Sequence, residues 1–74
     1  MDTKIDISTE VGLNVRAELA RSGQSITGAA QALDLSAPAF RRRLKGQVPF
    51  NVHELDQLAA LLGIAYEQLV NPVR

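Results

Sequence analysis

The sequence predicts an all-α fold, a compact bundle of five short helices. Three observations predict it: apolar residues recur at helical spacing in successive windows, caps and stops separate those windows, and the connections between them are short. The 74 residues are 46% hydrophobic, which suits one small domain with a single core. Residues 9–74 are expected to form that domain and residues 1–8 a flexible N-terminal arm, with a brief alternation at Ile5 and Ile7.

The first helix is expected to start near Thr9, with Glu10 at its positive end and Val11, Val15 and Leu19 on the inward stripe. Gly23 is placed as its left-handed stop. Ser25 is a suitable N-cap for a second helix with Ile26, Ala29, Ala30 and Leu33 inward. Gly28 inside that helix costs roughly 1 kcal/mol against Ala, so it marks a close approach of another helix or of a phosphate. Asp34 fills the turn, being more tolerant of left-handed geometry than most residues. Ser36 or Ala37 caps a third helix, Pro38 sits in its first turn, Phe40 and Leu44 are its anchors, and Gly46 ends it.

The fourth helix has the fullest local grammar. Asn51 and Glu54 form a capping box, Phe50 and Leu55 a hydrophobic staple, and Leu55, Leu58, Ala59 and Leu62 the buried stripe before Gly63. A last short helix spans about Ala65 to Val70, ending at Asn71-Pro72.

Composition narrows the function classes. With no Cys and a single His, thiolate and zinc sites are excluded, and no metal or other cofactor is expected. The chain opens with Asp2, Lys4 and Asp6 and no apolar signal core, and its longest apolar run, Leu58–Leu62, is too short to cross a bilayer. A cytoplasmic protein with no membrane partner and no small-molecule substrate is the expectation. Glu54 has no partner acid, nucleophile or metal ligand near it in sequence, so it reads as a cap and the chain as a non-enzyme. His53 reads as an exposed first-turn residue, and Phe50 as a staple, since too few aromatics accompany it for base stacking.

The formal net charge is zero, yet Arg41, Arg42, Arg43 and Lys45 fall within five residues. Residues 51–73 carry Glu54, Asp56 and Glu67 and no Lys or Arg, so one basic face and an acidic far side are expected. Projected at 100° per residue with Phe40 and Leu44 inward, Arg42, Pro38 and Lys45 point directly away from the core. Arg41 and Ala39 lie on the flanks and Arg43 nearer the core edge. Such a helix is suited to a polyanion.

From Val11 to Val70 the chain resembles the Cro/repressor (Xre-type, lambda-repressor-like) helix-turn-helix family. The resemblance rests on Ser25, Ala30, Leu33, Leu35, Ser36, Phe40, Leu44 and Gly46, and on the run ELDQLAALLGIAYEQL. It departs at Asp34, where the family usually has Gly, and at Ala37 and Pro38, where it often has Gln, Ser or Arg. The resemblance implies a helix-turn-helix at about residues 25–45 and a small bacterial or phage transcriptional regulator, a repressor or Cro-like protein acting by operator occupancy. A protein-interaction adaptor, or an antitoxin or excision-type accessory factor, is the alternative on the same fold.

The partner implied is double-stranded DNA. Base-reading candidates are Arg42, Arg41, Lys45, Pro38 and Ala37. Phosphate candidates are Ser25, Ile26, Thr27, Ser36, Arg43, Gln47 and Asn51. A homodimer is implied, with Tyr66, Leu69 and Val70 as its candidate contacts.

Overall fold

The computed structural model describes residues 7–71. Five helices follow one another: α1 (Ile7–Ser22), α2 (Ile26–Ala32), α3 (Ala37–Leu44), α4 (Val52–Leu62) and α5 (Glu67–Val70), with no strand among the described residues. One apolar cluster joins them all. Val11, Val15 and Leu19 enter it from α1, Ala29 and Ala30 from α2, Phe40 and Leu44 from α3, Leu55, Leu58 and Ala59 from α4, and Leu69 from α5.

Local signals explain the boundaries. The Ser25 and Ser36 side chains accept from the Gly28 and Ala39 N–H groups at 2.9 and 3.2 Å, so Ser36, and not Ala37, caps α3. Asp34 holds the turn between α2 and α3 at φ 60°, the left-handed conformation expected of it. Asn51 and Glu54 make the full capping box of α4, and Gly63 stops that helix at φ 69°. Phe50, just before the box, is buried and meets Phe40 edge-on at a centroid distance of 5.7 Å.

Four expectations change. α1 begins at Ile7 and not near Thr9, taking in the last two residues assigned to the arm; the other six lie outside the described residues. Ile7 is 75% exposed, so its place in the helix owes nothing to burial, which is why apolar patterning misplaced it. α5 is regular only from Glu67, because its entry is a tight turn: Gln68 and Leu69 N–H groups donate to the Ala65 and Tyr66 carbonyls. Gly28 is not a helix crossing. A Cβ there would meet only the Ser25 hydroxyl at 3.0 Å and Gln24 Oε1 at 3.9 Å. Leu69 is fully buried, so it docks α5 onto the core and presents nothing to a second subunit; Tyr66 and Val70 are half-buried beside it.

The close helix approach lies at Gly12, on α1. A Cβ there would overlap the Leu44 carbonyl oxygen and lie 2.8 Å from its carbon. Gly46, at φ 81°, repeats the constraint one turn away, where a Cβ would lie 2.8 Å from Thr9 Cα. α1 therefore rests directly on the C-terminal end of α3, backbone against backbone. On the far side of α1, the buried Asn14 Nδ2 donates to the Leu69 and Asn71 carbonyls at 2.9 and 2.7 Å and clamps the end of α5.

Gly12→Ala sets two effects against each other. Helix propensity favours Ala by about 1 kcal/mol, whereas the overlap requires α1 and α3 to part. Overpacking of this kind costs about 1–3 kcal/mol, and here it falls on backbone that cannot rotate away. Urea unfolding is expected to show a net loss of stability; an unchanged or higher midpoint would show that the crossing has slack.

Candidate nucleic-acid interface

The candidate surface is the outer face of α3. Phe40 and Leu44 are buried, which fixes the rotation of the helix. Pro38, Arg41, Arg42 and Lys45 are all exposed, at positions i, i+3, i+4 and i+7, and so form one continuous stripe. Ala37 and Ala39 are half-buried at its edges. The helix contains no acidic residue, and its arginines fall in the last turn, where the macrodipole favours cations.

Arg43 behaves differently from its neighbours. Its Nε donates to Glu54 Oε1 at 3.1 Å and its Nη1 to the Ala39 carbonyl at 3.2 Å. The two side chains of this ion pair are only 18% and 10% exposed. The same Glu54 Oε1 accepts the Asn51 N–H at 3.0 Å, so one carboxylate caps α4 and ties it to α3. The guanidinium is thus turned into the protein, and the outward cations are Arg41, Arg42 and Lys45. Glu54 is correspondingly withdrawn from the acidic residues of the 51–73 segment, of which Asp56 and Glu67 remain exposed.

Apart from Arg43, which is turned onto Glu54, the phosphate candidates fall in three places. Ser25 and Thr27 are exposed at the start of α2, while the Ile26 side chain is half-buried against the core. Ser36 is exposed at the start of α3; Gln47 and Asn51 are exposed in the segment between α3 and α4 and at its end. Ser25, Ser36 and Asn51 also use a side-chain oxygen as a helix cap. What sequence reasoning missed is the Arg43–Glu54 pair. Its partners stand eleven residues apart on different helices, and only the inward tilt of Arg43 hinted at it.

Among the described residues, no group of three or more His, Asp or Glu side chains is placed to hold a metal ion, and no helix is long and apolar enough to cross a membrane.

Residues 8–73 match the family described as the BetR domain. No curated protein matches the chain. Two solved structures share its architecture. The clp gene regulator ClgR from C. glutamicum superposes with a TM-score of 0.82 at 17% identity, over 89% of this chain and 86% of that one. The hypothetical transcription factor NHTF from Neisseria superposes with a TM-score of 0.80 at 22% identity, over 90% of this chain and 77% of that one. At these identities the likeness is one of fold.

The Arg43–Glu54 pair lies between an exposed ion pair, worth about 0–1 kcal/mol, and a fully buried one, whose breakage costs about 3–5 kcal/mol. Arg43→Ala is therefore expected to lower stability by about 1–3 kcal/mol. Glu54→Gln, which can still cap α4, is expected to lower it by less. In urea unfolding the double variant should lose less than the two single losses combined; strictly additive losses would mean that the contact contributes nothing.

Proposed function

We propose that this chain, which belongs to the BetR domain family, binds double-stranded DNA in a sequence-dependent manner and acts as a small transcriptional regulator through operator occupancy. The observation that carries the reading is the exposed stripe Pro38, Arg41, Arg42 and Lys45 on a helix whose opposite side is locked by Phe40 and Leu44. An α-helix fits the major groove of B-DNA, about 12 Å wide. In a helix-turn-helix the second helix presents its N-terminal residues to base edges while the first crosses the backbone. Here those roles fall to α3 and α2.

Arg42 lies opposite the Phe40–Leu44 line and is the residue for bidentate contact with a guanine; Arg41 and Lys45 reach bases or phosphates on either side. The starts of α2 and α3, with Ser25, Thr27 and Ser36, suit backbone phosphates, and Gln47 and Asn51 extend that line. The fold shared with ClgR, a clp gene regulator, and NHTF, a hypothetical transcription factor, supports regulation as the role. A homodimer on a two-fold site is part of the proposal, with the half-buried Tyr66 and Val70 as its contacts.

Two measurements test the reading. Each phosphate neutralised contributes about 0.9 to the slope of log K against log salt, so Arg41 and Lys45 on phosphates give a slope near −1.8 per subunit. A slope near zero would remove DNA from consideration. On the preferred site Arg42→Ala should weaken binding by about 1–3 kcal/mol and relax the base preference. Arg43→Ala should leave the preference intact; the reverse pattern would mean that α3 is rotated otherwise on DNA.

A further inference from the structure

The outward stripe of α3 is chemically graded along the helix. Its cations occupy only the second half, at Arg41, Arg42 and Lys45, while the first turn exposes Pro38, an apolar ring with no hydrogen-bonding group, beside the half-buried methyl of Ala37. Accepting the proposed reading of DNA through α3, on which this inference rests, that first turn meets base edges without a side-chain donor or acceptor to offer them. A polar base edge placed there would lose its water and gain nothing, which is unfavourable. One feature of the major groove suits such a surface: the pyrimidine 5-methyl group, carried by thymine.

We infer that Pro38, with Ala37 beside it, is a specificity determinant that selects a thymine methyl at a fixed distance from the guanine read by Arg42. The distance follows from helix geometry. Residues 38 and 42 are four apart, a rise of about 6 Å, against a base-pair rise of about 3.4 Å. The thymine therefore lies within about two base pairs of the guanine in each half-site. The apolar tip, which hydrogen-bond readout alone leaves without a role, becomes the part of the helix that distinguishes T·A from the other pairs.

The test uses the full chain and its preferred duplex, obtained by selection from random sequences. Each thymine is replaced in turn by uracil, which removes the methyl and keeps every hydrogen-bonding group. Burial of one such group is worth about a fourfold change in affinity. A fourfold loss is expected at one thymine per half-site, one or two base pairs from an essential guanine. Pro38→Ser should bind thymine and uracil duplexes equally at that position. Because the uracil series alters only the DNA, it stands even if the variant folds poorly.

A duplex carrying 5-methylcytosine·G in place of T·A separates the two sources of the methyl, and tighter binding to it than to thymine would overturn the assignment to thymine. Indifference to uracil at every position would overturn the inference, as would a uracil effect that persists unchanged in a folded Pro38→Ser. Both results presuppose salt-dependent, sequence-selective binding to duplex DNA. Its absence in the first selection would instead overturn the underlying DNA reading.

Discussion

The backbone contact between α1 and the end of α3 is the constraint on which the rest of the molecule depends. Because Gly12 has no Cβ, α1 reaches the Leu44 carbonyl, and because Gly46 has none, the chain leaving α3 folds past Thr9. A side chain at either position would hold the two helices apart and leave a gap beneath Leu44. With the contact made, Phe40 and Leu44 are buried together, and a helix with two buried residues four apart has only one rotation available to it. The outward direction of Pro38, Arg41, Arg42 and Lys45 is thus a consequence of packing on the opposite side.

The Arg43–Glu54 pair completes the same frame from the α4 side. As a contribution to stability it is modest, since desolvating a guanidinium and a carboxylate offsets most of their attraction. Its structural effect is larger than its energy. One carboxylate oxygen accepts both the Asn51 N–H and Arg43 Nε, so the start of α4 is registered to the middle of α3 by a charged, directional contact. It also withdraws one of four consecutive-looking cations from the surface. The outward face keeps a cationic row confined to one stripe, with an apolar end that a fully basic helix would lack.

Much of this was legible in the sequence because it is written in local grammar. Ser25, Ser36, Asn51 with Glu54, and Asp34 act within four residues of themselves, so caps, box and turn could be read without knowing the fold. The rotation of α3 was legible too, since Phe40 and Leu44 are the only large apolar side chains in it. What was hidden depends on contacts distant in sequence. Gly12 looks like a weak point of α1 until Leu44 is placed against it. Leu69 and Tyr66 look alike as apolar residues of a short helix, and only the docking of α5 on α1 separates the buried one from the half-buried one.

Asn14 shows why α5 sits where it does. The helix is four residues long, too short to be stable by itself or to bury much apolar surface. Asn14 supplies two hydrogen bonds to its terminal carbonyls, worth about 0.5–1.5 kcal/mol each, but its own Oδ1 is buried without a hydrogen-bond partner among the described residues, at a cost of about 1–3 kcal/mol. These terms nearly cancel, so the clamp fixes position more than it adds stability. Gly12 and Asn14 are two residues apart, which is about 3 Å along the axis and about 200° around it. α3 and α5 therefore lean on opposite sides of the same turn of α1. In a dimer joined through Tyr66 and Val70, the separation of the two α3 helices would be set along that short rigid path. A two-fold site read in successive major grooves requires half-sites about 34 Å apart, so a path this short and rigid would decide whether such a dimer matches that spacing.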